Sequence, residues 1–148
     1  MTKSLPRVLI AGTSSGSGKT TAVCAILTLL KRRGIGVTAC KCGPDYIDPM
    51  FHESVLGIPS ANLDPFFCNG NLLRSLLAES GDALTVIEGV MGYYDGTGES
   101  GMDNSTYTVA AKTDTPVILV VNAKGASTSL LAVIEGFLQF VPTAGFTA

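Results

Sequence analysis

Apolar positions along this chain fall into short unbroken runs, and between them lie stretches with helical spacing. Arg7 to Ala11 is apolar after its first residue, which predicts a strand buried on both sides. From Lys19 to about Arg33, Ala22, Ala25, Ile26, Leu29 and Leu30 recur at helical intervals. Lys31, Arg32 and Arg33 complement the negative helix end, and Gly34 supplies the stop. Gly36 to Cys42 reads as a second strand, residues 50 to 57 as a short helix, and 64–67 as a turn with exposed aromatics. Asn71 to Ser80 reads as a helix with Leu72, Leu73, Leu76 and Leu77 on its apolar face. Leu84 to Glu88 is a third strand, Asn104 to Lys112 a helix, Pro116 to Val121 a fourth buried strand, and Ser127 to Phe140 a last helix. Residues 141–148 stop where another strand is expected to begin.

Strands alternating with helices predict a mainly parallel sheet with helices on both faces. Ligands of such sheets sit at the carboxyl ends of the strands. The loops 12–20, 41–49, 88–96 and 122–129 all fall there, which predicts one shared site.

Composition narrows the class. A chain of 148 residues with 46% hydrophobic and 15% charged content is sized for one globular α/β domain. A net charge of −2 leaves no basic footprint for nucleic acid. No apolar run is long enough to span a bilayer. The opening Met-Thr-Lys-Ser-Leu-Pro leads straight into the first strand with no signal peptide, so a cytoplasmic location is expected. Cys24, Cys40, Cys42 and Cys68 make no metal pattern; Cys40 and Cys42 read as small hydrophobes sharing one strand face. The single histidine, His52, reads as an ordinary helix-surface residue.

The chemistry concentrates after the first strand. Gly12-Thr13-Ser14-Ser15-Gly16-Ser17-Gly18-Lys19-Thr20-Thr21 is a loop of small residues entering a helix. Such a loop turns successive N–H groups onto phosphate oxygens, and the helix aims its positive end at the same anion. Lys19 adds a charge for the β- and γ-phosphates, and Thr20 a hydroxyl for Mg²⁺. The GK[ST] end is intact, although Thr13 stands where the general motif has its first glycine. A plain Gly/Ser turn explains neither the lysine nor its place at the helix start.

Carboxylates follow at the next two strand ends: Asp45 and Asp48 after the second, Glu88 at the tip of the third, and Asp95 in the glycine-rich loop beyond it. Mg²⁺ takes oxygen ligands and keeps several waters, so one or two such carboxylates suffice. Glu88 ends an apolar strand and calls for a cation nearby. Asp45 and Asp48, beside prolines, also suit turn chemistry. Lys41 either meets phosphate or an anionic substrate, or is a surface lysine.

Gly-Thr-Ser-Ser-Gly-Ser-Gly-Lys-Thr (12–20), Lys-Cys-Gly-Pro-Asp-Tyr-Ile-Asp-Pro (41–49) and Glu-Gly-Val-Met-Gly-Tyr-Tyr-Asp-Gly (88–96) together resemble the N-terminal domain of the cobyrinic acid a,c-diamide synthase family. The resemblance covers nearly the whole chain. It implies an α/β, P-loop NTPase-like, dethiobiotin synthetase-like fold that is incomplete at its C-terminal end, with the family's C-terminal glutaminase domain absent. It implies an ATP- and Mg²⁺-dependent amidoligase that activates the a- and c-acetates of a tetrapyrrole as acyl-phosphates. Ammonia from glutamine then forms the amides, and a homodimer is compatible with it. In that scheme residues 12–21 and Lys41 bind nucleotide, and Thr20, Asp45 and Glu88 hold the metal. Lys19, Asp45, Asp48, Glu88 and Asp95 serve catalysis, Asp48 through the metal or the acyl-phosphate, and Asp95 on the substrate side. The fragment alone is expected to be inactive.

The chain departs from the family at Asn122, where relatives carry Asp, at Thr128, where they carry Arg, and at Tyr93, often Leu. Alternatives are an amidoligase for another tetrapyrrole and a dethiobiotin synthetase-like enzyme, which lacks Gly-Pro-Asp-Tyr-Ile-Asp-Pro. A nucleotide switch of the chromosome- or septum-positioning kind uses a lysine early in the loop, where this chain has Ser14.

Overall fold

In the computed structural model, residues 5–141, 145 and 146 are described. Ten elements follow in order: β1 (Arg7–Gly12), α1 (Lys19–Arg32), β2 (Val37–Cys42), α2 (Ile47–Ser54), β3 (Ser60–Leu63), α3 (Gly70–Ala78), β4 (Leu84–Glu88), α4 (Thr106–Thr113), β5 (Val117–Val120) and α5 (Ser129–Phe140). The five strands form one sheet in the order β3-β2-β4-β1-β5, and every pairing is parallel.

Side-chain alternation along the strands divides the core. Leu9, Ala11, Cys40, Cys42, Leu63 and Ile87 face α3 and α4, where Leu73, Leu77, Val109 and Ala110 complete the layer. Ile10, Ala39 and Val86 face the other way, against Val23 and Leu27 of α1 and Ile58 after α2. Cys40 and Cys42 therefore share one buried face, as the spacing predicts. Burial pushes the Cys40 thiol up to about 12, and Cys42 higher still, so neither is a ready nucleophile.

The helices shift from expectation by a turn fraction. In α1 the buried stripe is Lys19, Val23 and Leu27, while Ala25 and Leu29 are exposed. In α3 Leu73 and Leu77 are buried and Leu72 is exposed. The short helix begins at Ile47 instead of residue 50, because Pro49 sits comfortably in a first turn, where its missing N–H has no helical partner to serve. β3 is absent from the four-strand reading and borders the sheet through its register with β2, Ala39 opposite Ser60. β5 is not fully buried: Ile118 is exposed and α5 buries none of its residues. Of residues 141–148, which stop where a further strand is expected to begin, Val141, Gly145 and Phe146 are described, and Phe146 bridges in parallel to Val117. Residues 1–4 lie outside the description. No helix among the described residues is long and apolar enough to cross a membrane.

Candidate functional site

The carboxyl ends of β1, β2 and β4 meet around a cleft of about 420 Å³. Its lining comes from Ser15, Gly16, Gly18, Lys19, Thr20 and Thr21 of the first loop, Lys41, Asp45 and Asp48 of the second, and Gly89, Val90 and Met91 of the third. Three of the four expected loops thus converge. The fourth, 122–129, contributes no lining residue.

Gly18 caps α1 at φ 100°, and Gly16 stands at φ 72°, a left-handed backbone that L side chains resist. Lys19 folds back across this loop. Its ammonium donates to the carbonyls of Ser14 at 2.9 Å and Met91 at 2.6 Å, tying the first loop to the third. Met91 has φ 50°, uncommon for a residue with a side chain. Burial and the nearby Lys41 charge hold the Lys19 ammonium below its ordinary range, with Glu88 and Asp95 acting the other way.

Gly12 lies at the floor: its carbonyl accepts from Tyr93 N–H at 2.8 Å, and a Cβ there would strike the Ser17 hydroxyl. Ser17 Oγ is buried with no hydrogen-bond partner among the described residues. Thr13 N–H donates to Val120 across the β1–β5 edge. Gly12, Thr13, Ser14 and Ser17 therefore shape the loop from behind, while Ser15, Gly16, Gly18, Thr20 and Thr21 face the cleft.

The parallel register aligns Lys41 of β2 with Glu88 of β4. Their side chains meet: Lys41 Nζ is 2.9 Å from Glu88 Oε1, 2.6 Å from Asp48 Oδ2 and 3.8 Å from Asp45 Oδ2. Lys41 is buried, not a surface lysine, and is the cation Glu88 calls for. Burial alone lowers the Lys41 ammonium, but hydrogen bonds to Asp48 and Glu88 outweigh it and the net direction is upward. Thr20 Oγ1 donates to the same Glu88 oxygen at 2.6 Å. The hydroxyl and the carboxylate assigned to metal are therefore in direct contact.

Asp45 divides its carboxylate. Oδ1 accepts from Ile47 N–H at 3.0 Å, the turn chemistry foreseen for it, while Oδ2 faces Lys41. Asp48 sits in the first turn of α2, aimed at Lys41. Asp95 is the member not brought to the cleft. Its Oδ2 accepts from Gly92 N–H at 2.8 Å, and the residue borders a separate apolar groove with Tyr94, Val133, Phe137 and Phe140.

The sequence reading misses one residue and misplaces another. Asn62 of β3 donates to the carbonyls of Gly43 at 2.9 Å and Asp45 at 2.8 Å, holding the loop that carries both aspartates. His52 is fully buried, not on the helix surface, with Nε2 3.8 Å from Glu88 Oε2. With the helix starting at Ile47, His52 falls one turn beyond Asp48 on the same face.

Among the described residues, no group of three or more His, Cys, Asp or Glu side chains converges as a metal cage. A Mg²⁺ bound chiefly by phosphate and water needs no such cage, and the oxygens of Thr20 and Glu88 match its donor preference.

Two solved structures share the fold: signal recognition particle 54 kDa protein from Aeropyrum pernix in complex with GDP (TM-score 0.66, 22% identity, 96% of this chain and 34% of that one), and chloroplast FtsY from Physcomitrella patens (TM-score 0.65, 15% identity, 99% and 50%). The architecture is thus a P-loop NTPase-like fold. Sequence relatives are nearer. Cobyrinate a,c-diamide synthase of Listeria innocua is 46% identical over 139 residues, and that of Thermoplasma acidophilum 44% over 138, each match covering 92% of this chain. Hydrogenobyrinate a,c-diamide synthase of Streptomyces coelicolor is 42% identical over 140 residues, covering 93%. The chain spans about 31% of the length of the first two relatives and 29% of the third. A family profile described as the CobQ/CobB/MinD/ParA nucleotide binding domain matches residues 8–139, and the chain belongs to that family.

Proposed function

We propose that this chain is the ATP-binding part of an amidoligase that converts the a- and c-acetates of cobyrinate to amides. The observation that carries the reading is the meeting of Lys19, Thr20, Lys41, Asp48 and Glu88 in one cleft, in a chain about 45% identical to synthases of that name. The γ-phosphoryl group passes to a substrate carboxylate oxygen, releasing ADP. Ammonia from glutamine then attacks the acyl carbon and displaces phosphate.

Phosphoryl transfer asks for positioning and charge neutralisation more than covalent help. The 12–21 loop and Lys19 supply these for the triphosphate. Thr20, Glu88 and Asp45 are the residues to hold Mg²⁺, which, when bound, neutralises charge on the phosphates. Lys41 and Asp48 stand on the side where an anionic acetate arrives, and Lys41 can exchange its carboxylate partners for that anion. Asp95 braces the loop 88–96 through Gly92.

A second reading, the hydrogenobyrinate ring, is favoured by the Streptomyces relative. The test is amide formation by the full-length protein supplied with ATP, glutamine and each ring in turn. Amidation dependent on all three components supports the proposal. ADP release indifferent to any tetrapyrrole would overturn it and favour a nucleotide switch.

A further inference from the structure

Glu88 is fully buried, and its two oxygens live in different surroundings. Oε1 accepts from Thr20 and from Lys41. Among the described residues Oε2 has no hydrogen-bond partner. Behind it stands His52, also fully buried, with neither Nδ1 nor Nε2 hydrogen-bonded among the described residues. Orphaned buried polar atoms are rare, and each costs about 1–3 kcal/mol. Here two of them face one another, His52 Nε2 and Glu88 Oε2, at 3.8 Å. Closing that gap to a hydrogen bond takes a movement of under about 1 Å.

We propose that His52 is a positioning residue whose Nε2–H tethers Oε2 of Glu88, so that only Oε1 is offered to Thr20 and the divalent ion. The inference rests on the reading of Glu88 as the carboxylate of the metal site. The terminal torsion of a glutamate is broad and roughly two-fold, so an untethered carboxylate presents either oxygen. An imidazole N–H donating from behind breaks that equivalence. A leucine would fill the same volume without the orphan cost, which is why simple packing does not account for an imidazole at this place. α2 supplies both hands of the device: Asp48 engages Lys41 from the cleft side, and His52, one turn on, reaches Glu88 from the core side.

The test compares His52→Gln with His52→Asn in the full-length protein. The Gln amide reaches the Nε2 position and the Asn amide reaches that of Nδ1, while both stay polar and similar in bulk. Mn²⁺ affinity is read by electron paramagnetic resonance in saturating non-hydrolysable ATP analogue, and analogue affinity is read separately in chelator. The expected result is a loss of about tenfold or more in Mn²⁺ affinity for His52→Asn. His52→Gln should stay within about threefold of wild type, and metal-free nucleotide affinity should be unchanged in both. Equal Mn²⁺ affinities in the two variants overturn the proposal, whether both are weak or both are normal. Glu88→Gln separates it from its parent reading. If that variant leaves Mn²⁺ affinity intact, the metal role of Glu88 falls and the tether with it. If it weakens Mn²⁺ while the His52 pair does not diverge, only the tether falls.

Discussion

Lys41 and Glu88 are opposite numbers in the β2–β4 ladder, and that register alone brings Nζ to within 2.9 Å of Oε1. Both side chains are almost wholly shielded from water. A buried pair adds little over an apolar replacement, but removing one partner leaves an uncompensated charge and costs about 3–5 kcal/mol. Lys41→Met should therefore destabilise strongly, and adding Glu88→Gln should restore part of the loss. Urea denaturation of the wild type, both single variants and the double variant measures this coupling. Additive losses would show that the two side chains do not depend on one another.

The nucleotide loop and the acidic loop carry separable duties. Lys19→Ala removes the charge meant for the phosphates and also the tie between the Ser14 and Met91 carbonyls. It should abolish detectable nucleotide binding. Asp48→Asn leaves the 12–21 loop untouched and should spare binding while stopping turnover. Isothermal titration with ATP, paired with an ADP-release assay, distinguishes the two. Equal loss of affinity in both variants would contradict the division.

How much of this was legible depends on how local each determinant is. The phosphate loop was readable because its chemistry lies in consecutive residues: glycines free to take positive φ, then lysine and threonine at a helix start. The two sheet faces were readable from alternation in β1 and β2. β3 was not, since Ser60-Ala61-Asn62-Leu63 has neither an apolar run nor β-branched residues and exists through its pairing with β2. His52 was misjudged for the same reason. Its burial comes from α2 lying across the sheet, and a lone histidine in an eight-residue helix carries no sign of that. The partner of Glu88 could be required on charge grounds but not named, because Lys41 lies 47 residues away and only strand order makes them neighbours.

The loop from Glu88 to Gly101 contains glycines that resist substitution for opposite reasons. A Cβ on Gly101 meets nothing, so Gly101→Ala bears only the strain of φ 69°, about 1–2 kcal/mol. A Cβ on Gly96 would lie 2.2 Å from the Asp103 carbonyl oxygen and 2.8 Å from Met102 C, both backbone atoms. Gly96→Ala must shift the Thr97–Asp103 bridge and should cost about 3 kcal/mol or more, the upper end of overpacking. Thermal or urea unfolding of the two variants ranks them, and a larger loss at Gly101 would mean that strain, not contact, governs this loop.

Lys19 also predicts a proton linkage. Burial first, and then the Lys41 charge, hold its ammonium below the ordinary 10.5. Between that lowered value and 10.5 the folded protein binds fewer protons at Lys19 than the unfolded chain does. This group's contribution to stability therefore rises with pH through that window. Lys41 does not share it, since its carboxylate partners move it upward and keep it charged there; its own contribution is lost only as pH climbs through that raised value. A triphosphate seated on the loop brings negative charge to Lys19 and favours the ammonium, so nucleotide binding in this alkaline window should take up a proton. Calorimetric titration in buffers of different ionisation enthalpy reads that uptake as the slope of apparent enthalpy against buffer enthalpy. Lys19→Arg, always charged, should bring the slope to zero while leaving a cation for the phosphates. An unchanged slope in that variant would assign the proton to another group and remove Lys19 from the linkage.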